Sequence, residues 1–93
     1  MIRLLTVIGH GTKLLPHFIN HYKSHVDEIN IIVYESDVNP IISHEVKDII
    51  KNFDNVKIAH TIKDRVYDWE KVTGLYNFIK SKHKNDWWVI ADI

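Results

Sequence analysis

The sequence has no cysteine, no excess charge of either sign and no long apolar run, and it is sparing with glycine and proline. Without cysteine there is neither a disulfide framework nor a thiolate metal site. Twelve basic residues balance twelve acidic ones. The chain therefore lacks the basic surface with which a nucleic-acid binder neutralises phosphates, and no nucleic-acid partner is expected. A polybasic membrane-surface module is excluded for the same reason. No apolar stretch is long enough to span a bilayer, and the first ten residues do not make a signal peptide. A cytoplasmic protein is the expectation. Nothing is Gly- or Pro-rich enough to form a linker or a low-complexity tract.

What is present suits one small folded domain of 93 residues, 45% apolar and well supplied with aromatics. The pattern alternates short apolar runs with segments of helical periodicity. Ile2 to Ile8 reads as a strand, followed by the turn Gly9-His10-Gly11-Thr12. A helix runs from about Lys13 or Pro16 to Ser24, with Thr12 as a candidate cap and Leu14, Leu15, Phe18, Ile19 and Tyr22 on one face. Ile29 to Tyr34 is the second strand and Glu35 to Pro40 a loop. A helix from Ile41 or His44 to Phe53 follows, then a third strand, Val56 to His60. Thr61 to Asp68 reads as a loop. A helix from about Tyr67 to Lys82 has Trp69, Val72, Leu75, Tyr76 and Ile79 on its inner face. Gly74 inside it costs about 1 kcal/mol relative to alanine.

The last stretch, Trp87 to Ile93, is a nearly continuous apolar run that ends on Asp92. Such a run predicts a strand covered on both faces, as in a parallel sheet. Four strands alternating with three helices imply right-handed crossovers. The expected architecture is a three-layer α/β/α, Rossmann-like unit, βαβαβαβ, with a parallel four-stranded sheet. If the winding reverses after the first strand, the order is 3-2-1-4. A crevice then opens between the ends of strands one and four, where ligands of such sheets bind.

Acids at that crevice can hold ribose hydroxyls or a divalent cation. Glu35, Asp37 and Asp92 are the acids in position. Glu35 and Asp37 are also the sort of residue that a solvated turn carries, whereas an acid closing Trp-Trp-Val-Ile-Ala is harder to explain as mere surface. The two glycines do not complete a dinucleotide fingerprint, and no Walker-type loop is present. His17, His21 and His25 recur at four-residue spacing. They flank the apolar stripe and read as boundary residues, with a helix-borne zinc or nickel site as the alternative. Lys63, Arg65 and Lys71 can pair with a diphosphate or simply make a charged loop. Trp69, Tyr76, Phe78 and Trp87 read as core rather than as a sugar-stacking platform.

The closing Trp87-Trp88-Val89-Ile90-Ala91-Asp92-Ile93 resembles the central strand of GT-A nucleotide-sugar glycosyltransferases, most of all family 2-related members reading Trp-Val-x-x-Ala-Asp-x-Asp-Glu-Phe. His10-Gly11, Leu14-Leu15-Pro16-His17 and His21-Tyr22 look like the helix after the first strand in those proteins, and Glu35-Ser36-Asp37 loosely matches their acidic loop. The resemblance covers the nucleotide-binding front half of such an enzyme, so half of a GT-A fold. It implies a nucleotide-sugar donor, an unknown acceptor and a divalent cation, Mn2+ or Mg2+. Asp92 would match the first aspartate of the Asp-x-Asp motif and touch ribose or metal. Glu35 or Asp37 would meet base and ribose, and Arg65 the diphosphate. The motif's second aspartate would follow Ile93. The expectation is therefore a front fragment of a longer enzyme, inactive alone as a hexosyltransferase. The alternative is a small α/β interaction or regulatory module without catalytic activity. Either predicts a homodimer covering the exposed sheet edge.

Overall fold

The computed structural model describes all residues, Met1–Ile93. Strand β1 (Ile2–Ile8) leads through a 3-10 turn (Thr12–Leu14) into α1 (Leu15–Tyr22). Then come β2 (Glu28–Glu35), α2 (Ile42–Ile50), β3 (Val56–Lys63), α3 (Trp69–Ser81) and β4 (Trp87–Ile90). The four strands form one all-parallel sheet in the order β3-β2-β1-β4. This is a Rossmann-like α/β unit, and the winding does reverse after β1.

The reversal puts the helices on opposite faces. Leu4, Ile8, Ile29, Ile31 and Val33 point to one side and pack with Leu15, Phe18 and Ile19 of α1 and Ile42 and Val46 of α2. Leu5, Ile32 and Tyr34 point to the other and meet Val72 and Tyr76 of α3. Period-two alternation in the strands thus feeds two cores, one of ten buried residues and one of five. Two helices cover the first face, and a single helix covers the second.

Across the N-terminal ends of the strands runs an ionic ladder. Arg3 Nη1 on β1 meets Glu28 Oε2 on β2 at 2.8 Å, and Arg3 Nε meets Asp86 Oδ2, just before β4, at 2.8 Å. Lys57 on β3 closes on Glu28 Oε1 at 3.1 Å. Every strand is thereby tied at the end remote from the crevice.

Several local expectations change. Helix α1 stops at Tyr22 rather than Ser24. Thr12 makes no capping bond; the chain enters instead through Gly11 at φ 69°, a left-handed conformation that a residue with a β-carbon rarely adopts. Pro16 sits in the first turn, where its missing N–H is no loss. Leu14, expected in the core, is exposed. Helix α2 ends at Ile50 and α3 begins at Trp69, with Asp68 Oδ1 accepting from the Glu70 amide at 3.0 Å.

Two corrections reach further. Strand β3 continues to Lys63, through residues read as loop. Ile31 pairs with Ile58 but Ile32 with His60, so Ala59 is an extra residue, a β-bulge. The bulge changes which residues face inward and lets Ile62 join the α3-side core. Strand β4, expected to be covered on both faces, is an open edge. It pairs with β1 alone, Trp87 is 78% exposed and Ile90 45%.

Candidate functional site

In a parallel sheet all C-terminal strand ends meet on one rim. Here the rim carries Gly9-His10-Gly11 after β1, Ser36-Asp37 after β2, Asp64-Arg65 after β3 and Asp92 beyond β4. A crevice of about 170 Å³ opens at the β1/β4 switch, bordered by Gly9, His10, Gly11, Leu14, Asp92 and Ile93. A second hollow of about 280 Å³ lies toward β2 and is lined by Ser36, Val38 and Tyr67. Val7, Gly9 and His10 border both, so the two hollows share a wall. A β-carbon on Gly9 would stand 3.8 Å from Tyr34 Cβ, an ordinary contact. Sterics therefore tolerate alanine there, and only a longer side chain would intrude on the hollows.

The expected site residues fall into two groups. Asp92 borders the crevice itself. Glu35, Asp37 and Arg65 gather one strand further out, at the ends of β2 and β3. There they are paired with cations or acids of the neighbouring strand or loop. Glu35 Oε2 lies 3.8 Å from Lys63 Nζ, and Asp37 Oδ2 lies 3.7 Å from Arg65 Nε. The Asp37 amide also donates to the Arg65 carbonyl at 3.2 Å. Asp37 and Arg65 are both well exposed, and such a pair is worth about 0–1 kcal/mol. A ligand can therefore compete for either partner. Lys71, the other candidate cation, is engaged by Asp64, whose carboxyl is held below its ordinary range by Lys71 first and then by the Arg65 amide.

The loop after β3 is fixed by a residue that local pattern gave no reason to single out. The Tyr34 hydroxyl, at the end of β2, accepts from the Asp68 amide at 2.8 Å and donates to the Val66 carbonyl at 3.0 Å. Asp64 Oδ2 stands 3.3 Å from the same oxygen. The Tyr34 ring packs against Tyr67, with centroids 4.7 Å apart. This brings Tyr67 to the hollow although sequence placed it at the start of a helix. Ser36, nearly buried, accepts from the Val38 amide at 3.3 Å and shapes the other wall.

Electrostatics link Asp92 to α3. The Tyr67 phenol is raised above its ordinary pKa by burial first, then by Tyr34 and Asp92. The Tyr76 phenol is pushed up to about 12 by burial, with Tyr67 and Asp92 adding to it. Both hydroxyls are thus protonated at any physiological pH and able to donate.

No group of three or more His, Cys, Asp or Glu side chains is arranged to hold a metal ion. His17, His21 and His25 are exposed rather than boundary residues, and His25 lies beyond the end of α1. The helix-borne zinc alternative therefore has no ligand set. Of the aromatic group expected in the core, only Tyr76 is buried; Trp69, Phe78 and Trp87 are exposed.

No helix is long and apolar enough to cross a membrane. The fold and rim together define a class, a parallel α/β unit with an open crevice at its topological switch point. No family model, curated protein or solved structure matches the chain.

Proposed function

We propose that this chain is the nucleotide-sugar-binding front part of a glycosyltransferase of the GT-A type, acting with a divalent cation. The observation that carries the proposal is Asp92 at the border of the switch-point crevice, where acids of open parallel sheets meet their ligands. The glycine turn after β1 lets a ligand come close to the backbone. The neighbouring hollow toward Tyr67 gives a flat-sided space beside Ser36 for a base or ribose. Asp37 or Glu35 would reach the ribose from the β2 end, and Arg65 the diphosphate, once released from Asp37.

One carboxylate does not make a resident metal cage. It does fit a Mn2+ or Mg2+ ion that arrives with a diphosphate, because such ions are commonly held by one or two carboxylates plus phosphate oxygens. Asp92 would be the residue that holds it. When bound, the cation offsets the charge that builds on the departing nucleoside diphosphate. The chain's own contribution is to orient the donor along the rim.

The open edge of β4, with Trp87 and Ile90 uncovered, favours a second reading, an interaction module that pairs with a second copy. A nucleotide titration separates the two. Amide spectra of the chain are recorded with UDP or GDP, with and without Mg2+; Mn2+ is read by signal broadening. Cation-dependent shifts at Gly9, Gly11 and Asp92, lost in Asp92→Asn, are expected. Absence of any nucleotide-dependent change along the rim would leave the interaction module as the better account.

A further inference from the structure

A tyrosine and a tryptophan stand exposed near the rim, the tyrosine lining the hollow toward β2. Tyr67 is 44% exposed and Trp69 is 54% exposed, although sequence periodicity assigned Trp69 to the core. Their rings are stacked, with centroids 6.3 Å apart and planes 28° from parallel. The pair is held from behind on both sides. Tyr34 packs on Tyr67, and Tyr76 meets Trp69 edge-on at 6.2 Å. Tyr34 is in turn fixed through its hydroxyl to Val66 and Asp68, the residues that flank this wall. The wall is therefore a supported surface rather than a pair of loose side chains. Exposed aromatic rings on rigid supports carry a binding function more often than scattered apolar residues do.

The polar groups nearby select the ligand. Tyr76 is only 6% exposed, yet its hydroxyl has no hydrogen-bond partner, which is costly for a buried donor. Asp92 borders the crevice that shares Val7, Gly9 and His10 with the hollow lined by Tyr67. The cations nearest in sequence, Arg65 and Lys71, are paired with Asp37 and Asp64. A phosphate at this wall would thus meet the Asp92 carboxylate and have to draw a cation out of an existing pair. A neutral ring with one apolar C–H face and hydroxyls on its rim would find an aromatic surface and, in Asp92, an acceptor.

We propose that the Tyr67–Trp69 wall is a saccharide-stacking platform, with Asp92 accepting from ring hydroxyls of a pyranose seated on it. In naming that saccharide as the acceptor, the inference rests on the glycosyltransferase reading; saccharide binding as such does not.

The test uses indole and ring signals of the intact chain, titrated with neutral oligosaccharides of glucose, mannose, galactose and N-acetylglucosamine. The Trp69 indole and the Tyr67 ring are expected to shift, while the indole of Trp87, at the opposite end of the sheet, stays in place. Trp69→Ala is expected to weaken binding about tenfold, as suits the loss of one stacked ring, and Trp69→Phe to restore part of it. Asp92→Asn, at an exposed position, should weaken binding without unfolding the chain. If no saccharide moves Trp69, or if Trp87 moves equally, the platform is refuted. It is refuted equally if uridine or UDP moves Trp69 and saccharides do not. UDP is titrated separately and read at Gly9 and Gly11. Saccharide binding without nucleotide binding would sustain the platform and remove the glycosyltransferase reading; the reverse outcome would do the opposite.

Discussion

Strands β2 and β4 are alike in sequence and opposite in circumstance. Ile-Asn-Ile-Ile-Val-Tyr ends on Glu35, and Trp-Trp-Val-Ile-Ala ends on Asp92. Both are apolar runs that deliver a carboxylate to the same rim. Yet residues Ile29 to Tyr34 are all buried, while β4 has no fully buried residue. The difference is one of neighbours. Strand β2 has β1 and β3 on its flanks, α1 and α2 on one face and α3 on the other. Strand β4 has only β1 beside it. Only Val89, Ala91 and Ile93 reach the larger core, and only Trp88 the smaller one. The stability of the unit thus resides in β2, and the open chemistry resides at the ends of β1 and β4. An acid on the buried strand is drawn into pairing with the neighbouring strand, as Glu35 is with Lys63 of β3. The acid beyond the edge strand makes no salt bridge within 4.0 Å and stands open at the crevice.

The contrast can be broken most forcefully in β2. Ile32→Ala removes a fully buried side chain from the smaller core, which has least to spare. A loss of about 2–5 kcal/mol is expected. In a chain this small that is a large share of the total stability. The urea midpoint should fall steeply, or the folded state should be lost; a shift no larger than that of a surface variant would show that β2 is not the core strand.

A smaller effect is expected where both strands are tied together. Arg3 links Asp86, at the start of β4, to Glu28, at the start of β2. Its hydrogen bond is the main cause holding the Asp86 carboxyl below the ordinary value of 3.8. A depressed carboxyl stabilises the fold fully above its unfolded value, and that contribution fades as pH falls through 3.8 toward the lower folded value. Thermal melts of the native chain should therefore lose stability below about pH 4. Arg3→Met should be less stable at neutral pH, and the Asp86 part of the acid decline should shrink to what the Met1 amino group sustains. Parallel pH curves for the two proteins would remove Asp86 from the account.

The smallest effect belongs to β4 itself. Trp87→Ser replaces a large aromatic residue that solvent already reaches, so the monomer's stability should change by no more than about 0.5 kcal/mol. If the melting temperature instead drops in a concentration-dependent way, Trp87 is covered by a second copy, and the edge is an interface. Analytical ultracentrifugation of the variant beside the native chain distinguishes these outcomes.

Much of the fold was legible. The alternation of strand and helix and the parallel sheet follow from hydrophobic period and crossover handedness, and the order 3-2-1-4 follows once the winding reverses after β1, as it does. The extension of β3 was not. Thr61 and Lys63 interrupt the apolar signal, and the extra residue at Ala59 breaks the alternation that would reveal a longer strand. Half of the rim's arrangement was legible, since Asp92 does border the crevice. Its other half was not. Tyr67 reaches the hollow because the Tyr34 hydroxyl, from another strand, fixes the loop that carries it. Nor does any spacing reveal that Arg65 turns to Asp37.

Local pattern settled which segments become strands and helices, because backbone propensity and apolar period act over a few residues. It did not settle which apolar residues are buried. Trp69, Trp87 and Ile90 are as hydrophobic as their buried counterparts, and only the sheet order and the placement of three helices leave them uncovered. Burial depends on what arrives from elsewhere in the chain, and four strands with one helix on the second face do not bring enough to cover both β4 and the start of α3.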